Sequence, residues 1–370
     1  TGGIRAVWFN QPYIANTLKA GTVGNFAGRV TINNDDAYLA SPSYELSPTL
    51  KESTHTAGLI PIYPETRGLT SRGIRFLVKP LLRAVGAIPD FIPEDVRTTE
   101  ALLPLTEALN AIHFPKMLAH AEKARRRFAF EDLYLLQLTN LRARAALRRE
   151  RAPVLSVPEE TLASFIRELP FTLTAAQQRS IKEIADDLSR QEPMNRLLQG
   201  DVGSGKTVVA AIATRIAYAC EKQVACMAPT EVLARQHYRT FSELLGRAGI
   251  GIGLLVGGDA RICLPDEGDA AVPRRKLLEK ARTGAIELVL GTHALIAGRS
   301  IGKIRFRDLG LVIIDEQHRF GVEQRATLVK REVHRGAETT VHFLSMSATP
   351  IPRTLSLSLF GDLDLSIIDE

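Results

Sequence analysis

A glycine-rich loop between an apolar segment and a helix-forming segment constrains the fold of this chain more than any other feature. Residues 200–207 read GDVGSGKT and fit the pattern GxxxxGK[ST]. Apolar residues precede the loop, and residues 206–220 have the composition of a helix. Glycines let backbone N–H groups close around phosphate oxygens, and the start of the following helix adds the positive end of a dipole. The segment therefore predicts a phosphate-binding loop at the end of a strand.

This loop and a later acidic pair together predict nucleotide hydrolysis. Lys206 would reach the β- and γ-phosphates, and Thr207 would ligate Mg²⁺. The apolar segment 311–314 ends in Asp315, which would hold Mg²⁺ through its water shell, and Glu316, which would orient or deprotonate the attacking water. An acidic pair at a strand end is also common as a helix cap, but the phosphate loop favours the catalytic interpretation. The residues expected to line the phosphate site are Gly200, Asp201, Val202, Gly203, Ser204, Gly205, Lys206 and Thr207.

From residue 156 onward, short apolar segments alternate with amphipathic helical segments. Strands are predicted at 196–199, 223–228, 251–256, 286–291, 309–315, 341–346 and 365–368, and helices at 206–220, 231–246, 273–283, 322–331 and 353–359. Continuous apolar strands joined by helices indicate a parallel sheet covered on both faces. The segment 261–275 is predicted to be a surface loop.

Other polar segments fall where predicted strands end. Segments 228–237, 291–296 and 346–353 place hydroxyl groups or glycine there, at the sheet edge where ligands of open α/β folds bind. Such groups suit the phosphates of a nucleic-acid strand, and each segment also fits a helix cap. Ahead of the loop, Phe171 could stack on a base and Gln177 could pair with an adenine edge. A helix capped by Thr174 explains that segment equally well.

The first 155 residues have a different pattern. Residues 4–50 contain short apolar segments separated by Gly, Pro and Asn turns, which predict a small half-buried sheet or barrel. So short a segment makes a poor core alone. Residues 55–115 are mixed and rich in proline. Residues 116–151 contain neither Pro nor Gly and predict one long helix, whose apolar stripe is Phe128, Leu133, Leu136 and Leu141.

The charge of the chain is concentrated in this N-terminal part. The formal net charge is +6, and residues 1–155 carry the whole excess. Residues 116–151 hold ten basic and four acidic residues, so the predicted helix either binds phosphate backbones or presents a solvated face. Its arginines are Arg125, Arg126, Arg127, Arg142, Arg144, Arg148, Arg149 and Arg151.

Several classes of protein are excluded or disfavoured by composition. No run of 18 apolar residues occurs, so no membrane-spanning helix is expected. The three cysteines form no CxxC pair, which suits a reducing cytoplasm and argues against a disulfide framework or a zinc site. The sequence does not begin with Met, and a piece of a longer protein is the expectation.

The motifs together resemble those of superfamily 2 helicases, and more closely the RecG family of bacterial DNA helicases. The segments that carry the resemblance are FNQPYI, LPFTLTAAQ, QGDVGSGKT, MAPTEVLARQH, GTHALI, IIDEQHRFGVEQR, MSATPIPRTL and FGDLDLSIIDE. The motor of transcription-repair coupling translocases is similar, but it is not expected to carry FNQPYI. The resemblance implies a partial OB-fold wedge at 1–52, a helical connecting region at 53–155 and a RecA-like ATP-binding lobe at 156–370.

The same resemblance implies roles for individual residues. Gln177 with Phe171 would read adenine, and the phosphate loop with Asp315 and Glu316 would bind and hydrolyse ATP with Mg²⁺. The residues implied to couple nucleotide state to DNA grip are Gln317, His318, Ser347, Ala348 and Thr349. Those implied to face DNA are Thr230, Thr292 and His293, with Phe9 and Tyr13 stacking on bases at a fork. Core packing of Phe9 and Tyr13 is the alternative.

The implied activity is ATP-dependent remodelling of branched DNA, such as stalled forks and Holliday junctions, in repair and recombination. The family motor has a second lobe that supplies an arginine finger, and this sequence is expected to end with the first lobe. The alternative is therefore a module that binds nucleotide and DNA without turnover. The resemblance further implies a monomer in the bacterial cytoplasm, at the nucleoid, with single-stranded DNA-binding protein as a candidate partner.

Overall fold

The architecture is taken from a computed structural model that describes most of the chain. The described residues are 2–33, 36–46, 59–84, 86, 88–292, 295, 304–316, 332–334, 337–348 and 363–369. By contacts the chain divides into an N-terminal unit, Thr1–Leu135, and a C-terminal unit, Leu136–Glu370. The three predicted domains and their boundaries stay a prediction. Among the described residues, no helix combines the length and the apolar composition that a membrane span requires.

The N-terminal unit contains a small sheet followed by helices. Its elements are β1 (Arg5–Val7), α1 (Ile14–Thr17), β2 (Asn25–Asn33), β3 (Asp36–Glu45), α2 (Ser71–Leu81), α3 (Glu94–Thr99), α4 (Leu105–His113) and the first part of α5 (Leu118–Leu147). The strand order is β1-β3-β2, with β1 parallel and β2 antiparallel to β3. The prediction of short strands in residues 4–50 is confirmed. Val30 and Ile32 of β2 remain exposed, as expected for a sheet too small to enclose a core.

The long basic helix is present, but the exposure of several of its side chains differs from what the sequence predicted. Leu133 and Leu141 of the predicted apolar stripe are more than half exposed. Arg127 is fully buried and therefore is neither a solvated nor a phosphate-binding group. Its guanidinium donates to Asp90 at 2.8 Å and to Glu131 at 2.6 Å. The prediction for the basic stretch is wrong at Arg127, because Glu131 on the same helix and Asp90 in the segment before α3 pair with the buried charge.

The C-terminal unit is built on a sheet of nine strands. Its elements are α6 (Glu159–Arg167), α7 (Ala175–Leu188), β4 (Asn195–Gly200), α8 (Lys206–Ala219), β5 (Gln223–Met227), α9 (Glu231–Leu245), β6 (Ile252–Val256), β7 (Asp259–Leu264), β8 (Gly268–Ala271), α10 (Arg274–Thr283), β9 (Leu288–Gly291), β10 (Leu309–Asp315), β11 (Glu332–His334), β12 (Ala337–Thr339), β13 (His342–Ser347) and β14 (Asp364–Ile368). The sheet order is β14-β4-β13-β10-β5-β9-β6-β7-β8, and a separate hairpin pairs β11 with β12. The predicted helices 322–331 and 353–359 lie outside the described residues.

The strands from β14 to β6 are all parallel, as predicted, whereas β7 and β8 run antiparallel at one edge. The predicted surface loop at 261–275 is therefore wrong over β7 and β8, which extend the sheet. Gly268, with φ of 72°, lies at the turn that reverses the chain. Ala260 and Ile262 of β7 are buried, so only one face of this extension joins the core.

The core lies on both faces of the sheet, as the sequence predicted. Leu311 and Ile313 of β10 pack with residues of α7, α8 and α9. Val312 and Ile314 point to the other face and pack with residues of α10. Residues 208–217 of α8 are all buried, including Thr214 and Arg215, so the prediction of an amphipathic helix is wrong here. Arg215 is accommodated by an ion pair with Glu168. The parallel strands bring their carboxyl ends, including the end of β4 before the glycine-rich loop, to one edge.

A buried histidine connects the beginnings of two central strands to the segment that precedes α6. His342 is fully buried, its Nδ1 accepts the Met194 N–H at 3.0 Å, and Nε2 lies 2.7 Å from the Pro153 carbonyl. Because Nδ1 is an acceptor, Nε2 carries the proton and donates. Burial lowers the pKa of His342, while the Pro153 carbonyl and Asp187 oppose part of that shift.

The lowered pKa of His342 predicts a loss of stability in mild acid. The unfolded state takes up a proton below about pH 6.5, whereas the folded state resists it. The contribution of the neutral His342 to the free energy of unfolding is complete above that pH and is lost as pH falls. The free energy of unfolding then changes by at most about 1.4 kcal/mol per pH unit. We expect His342→Asn to flatten the slope between pH 7.5 and 5.5, measured by hydrogen exchange of β4 and β13 amides. His120→Asn, in the N-terminal unit, is the control, and equal slopes in all three proteins would contradict the prediction.

Candidate nucleotide-binding site

The glycine-rich loop connects β4 to α8 and has the backbone geometry that its glycines predict. Gly203 and Gly205 both have φ of 87°, in the left-handed region that favours glycine. A Cβ on Gly205 would lie 2.3 Å from the Gln177 side-chain nitrogen, so glycine is required there for space as well. Lys206 begins α8 and Thr207 follows it. Val208 and Val209 donate their N–H groups to the Gly205 carbonyl, so the N–H groups of Lys206 and Thr207 are the ones of this first turn that suit an anion.

Lys206 lies within the loop. Its Nζ donates to the carbonyls of Gly200 and Asp201, each at 2.7 Å. Burial lowers the pKa of Lys206, and the negative charges of Asp315, Glu316 and Asp201 oppose part of that shift. The ammonium therefore lies in the electrostatic field of the two carboxylates that the sequence assigned to catalysis.

The loop also contains an unsatisfied polar group. Ser204 Oγ is buried and has no hydrogen-bond partner among the described residues. A buried hydroxyl without a partner is costly unless a ligand or water satisfies it. This hydroxyl, the exposed N–H groups and Lys206 together fit a nucleotide phosphate.

The acidic pair lies at the carboxyl end of β10, which is separated from β4 by β13 alone. Asp315 is 8% exposed, its Oδ1 accepts the Glu316 N–H at 3.0 Å, and its Oδ2 lies 2.8 Å from Nε2 of His237. Glu316 has φ of 52°, a strained conformation for a residue other than glycine. Strain of this kind is common at functional sites.

The acidic pair suits a magnesium ion that shares its ligands with a nucleotide. Among the described residues, no group of three or more His, Cys, Asp or Glu side chains could hold a metal alone. Mg²⁺ commonly uses one or two protein oxygens and completes its shell with water and phosphate oxygens. Thr207 and Asp315 supply a donor set of that size.

Gln177 makes contacts that the sequence did not reveal. Thr174 and Gln177 form a reciprocal capping box at the start of α7, so the capping alternative left open by the sequence is present. The Gln177 amide also donates to the Ser204 carbonyl at 2.9 Å and thus bonds the glycine-rich loop directly. Phe171 is 48% exposed and available for stacking. The assignment of Phe171 and Gln177 to adenine stays a prediction.

The residues assigned to DNA differ in exposure. Thr230 is exposed and its hydroxyl caps α9 by accepting the Leu233 N–H, whereas Thr292 is 5% exposed. In the N-terminal unit, Phe9 and Tyr13 are each 59% exposed, so neither is packed in a core. Their contacts with DNA stay predictions.

The predicted coupling residues are described only in part. Ser347 ends β13 and is buried, and Ala348 follows it. Gln317, His318, His293 and Thr349 lie outside the described residues.

The comparisons with known proteins agree with this geometry. The model of the DEAD/DEAH box helicase family matches residues 174–357. The ATP-dependent DNA helicase RecG of Thermotoga maritima is 40% identical over 98% of this chain, and that of Bacillus subtilis is 38% identical over 99%. The chain belongs to the RecG family. A solved structure of RecG bound to a three-way DNA junction is 36% identical over 98% of the chain, with a TM-score of 0.67.

The similarity to the RecG proteins extends over only part of their length. The chain spans 44% of the Thermotoga protein, 50% of the Bacillus protein and 46% of the solved RecG chain. It thus spans about half the length of the curated relatives it matches. The α/β sheet with helices on both faces is the RecA-like lobe of this family.

Proposed function

We propose that this chain provides the ATP-binding lobe and a DNA-contacting part of a helicase that remodels branched DNA in bacterial cytoplasm. The observation that carries the proposal is the position of Lys206 and of Asp315 and Glu316 at or after the carboxyl ends of β4 and β10, which β13 alone separates. A lysine in a glycine-rich loop facing two carboxylates suits phosphoryl transfer to water. The relatives are bacterial proteins named ATP-dependent DNA helicase, and one RecG structure holds a three-way DNA junction.

Each side chain of the proposed site has a separate task. The N–H groups of the loop and the Lys206 ammonium bind the phosphates of ATP, and Ser204 Oγ gains a partner there. Mg²⁺, held by Thr207 and Asp315, neutralises negative charge on the phosphates when it is bound. Glu316 orients the attacking water and accepts its proton. Asp315 is less suited to that task, because both of its oxygens already have partners.

The N-terminal unit supplies the proposed means of recognising a branch. Phe9 and Tyr13 are exposed aromatic residues around an irregular segment that contains Pro12. Aromatic stacking on a base contributes about 1–3 kcal/mol and does not depend on sequence. Unpaired bases occur at the branch point of a fork and not within a linear duplex, so stacking would favour the fork.

Phe9→Ala is therefore expected to weaken binding to a fork and to leave duplex binding unchanged. Loss of one stacked base corresponds to roughly a 5- to 150-fold decrease in fork affinity. The measurement is fluorescence anisotropy with a labelled fork and a labelled linear duplex of equal length, at one fixed salt concentration. Phe76→Ala is the matched control, because Phe76 is also exposed but lies on α2.

Three results decide between the interpretations. A selective loss of fork affinity in Phe9→Ala supports branch recognition by the N-terminal unit. An equal loss for fork and duplex means that Phe9 acts on DNA binding in general. A wild-type chain that binds neither DNA would overturn the DNA part of the proposed function.

A further inference from the structure

The hydrogen bond between His237 and Asp315 is not explained by the roles assigned so far. His237 lies on α9, within the segment that begins at Thr230 after β5. Its Nε2 is 2.8 Å from Asp315 Oδ2, and the two side chains are only 12% and 11% exposed. The contact joins positions 78 residues apart. A helix at the sheet edge thus directly contacts the carboxylate assigned to Mg²⁺.

This contact fixes the orientation of the Asp315 carboxylate. Oδ1 accepts the N–H of Glu316, and Oδ2 accepts the Nε2–H of His237. Two donors on opposite oxygens leave the carboxylate little freedom to rotate. The interaction needs only the neutral imidazole with its proton on Nε2, so it does not depend on a charged histidine.

The helix that carries His237 is itself held firmly. Tyr238 donates its hydroxyl to Asp269 at 2.8 Å, and Arg235 pairs with Asp259 at 2.6 Å. Both carboxylates belong to the β7–β8 extension of the sheet. The next turn of α9 brings the Phe241 ring edge-on to the imidazole, with centroids 6.3 Å apart. The imidazole is therefore positioned by its own helix, and its Nε2 lies beside Asp315.

We propose that His237 is a positioning residue that orients the Asp315 carboxylate for Mg²⁺. The inference rests on the proposed function, because it takes the Mg²⁺–nucleotide complex as the ligand of this site. Partners that orient metal-binding carboxylates typically contribute 10- to 100-fold to metal affinity or activity. A histidine that merely packs α9 against β10 would affect stability without affecting Mg²⁺.

The test measures binding of a fluorescent ADP analogue to the 370-residue chain over a range of Mg²⁺ concentrations and in EDTA. In His237→Ala, we expect the Mg²⁺ concentration that gives half of the maximal increase in nucleotide affinity to rise about 10- to 100-fold. Affinity in EDTA should change less than about twofold, because the hydrogen bond of His237 goes to Asp315, whose proposed ligand is the metal ion. His237→Gln should recover most of the loss, since the glutamine amide also donates to a carboxylate.

Tyr238→Phe is the matched control on α9, because it removes the bond to Asp269 and leaves the bond to Asp315. A similar Mg²⁺ shift in Tyr238→Phe and His237→Ala would overturn the inference, since any loosening of α9 would then suffice. A wild-type Mg²⁺ dependence in His237→Ala would also overturn the inference. The same holds if His237→Gln needs as much Mg²⁺ as the alanine variant. His237→Asn, whose amide is too short to reach Asp315, replaces the alanine variant if that protein does not fold.

The failure of this inference is distinguishable from failure of the proposed function. If the wild-type chain shows no Mg²⁺-dependent nucleotide binding, the proposed function is wrong and the role of His237 is wrong with it. If the wild-type chain shows Mg²⁺-dependent nucleotide binding and His237→Ala has the same Mg²⁺ dependence, only the role of His237 is overturned.

Discussion

Lys206→Ala is expected to lower nucleotide affinity by roughly 30-fold or more, and to remove any ATP hydrolysis that the wild-type chain shows. The ammonium lies in the glycine-rich loop, where its donors now bond the carbonyls of Gly200 and Asp201. A phosphate would take over these donors in a half-buried site. Removing one partner of such a charged hydrogen bond costs about 2–5 kcal/mol, which corresponds to that loss.

The measurement is titration of the chain with a fluorescent ATP analogue, together with steady-state hydrolysis with and without a synthetic fork. Lys222→Ala is the matched control, because Lys222 pairs with Asp308 at the opposite edge of the same sheet. Its removal should leave nucleotide affinity within about twofold, since surface ion pairs contribute little and no phosphate site is near. Wild-type affinity in Lys206→Ala would refute the assignment of the whole site.

Sequence patterns predicted the parts of the fold that depend on local order along the chain. The apolar strands and the glycine-rich loop were predictable, because a buried parallel strand and a phosphate loop each have a continuous signature of a few residues. The burial of α8 on all sides was not predicted, because Thr214 and Arg215 interrupt its apolar residues and the segment resembles an amphipathic helix. These elements place Lys206 and Asp315 at one edge of the sheet without any knowledge of side-chain contacts.

The parts that sequence patterns missed depend on partners far apart along the chain. The β8 strand reads GDAA and all four of its residues are exposed, so only its hydrogen bonds to β7 mark it as a strand. The contacts of Gln177 with Ser204 and of His237 with Asp315 join residues 27 and 78 positions apart. No local periodicity encodes such a contact. A useful signal was nevertheless present, since His237 ends the segment that began at a strand end.

The burial of Arg127 illustrates the same limit and carries the largest expected effect on stability. Arg125, Arg126 and Arg127 are consecutive, and composition alone gives all three the same exposed environment. In the structure, the guanidinium of Arg127 is completely buried between Asp90 and Glu131. Burial alone would raise the pKa of Asp90. The N–H groups of Leu105 and Ile92 and the guanidinium groups of Arg127 and Arg97 outweigh this and hold it below its ordinary value.

We therefore expect Arg127→Ala to lower the free energy of unfolding of the N-terminal unit by about 3–5 kcal/mol, because it leaves the largely buried carboxylates of Asp90 and Glu131 with fewer partners. Arg126→Ala should cost at most about 1 kcal/mol, since Arg126 and Glu100 form an exposed ion pair at 3.6 Å. The two residues are adjacent on one helix and identical in chemistry, so the comparison isolates burial. Native-state hydrogen exchange of the α4 and α5 amides measures both free energies within this unit. Equal losses in the two variants would show that the buried cluster contributes no more than a surface pair.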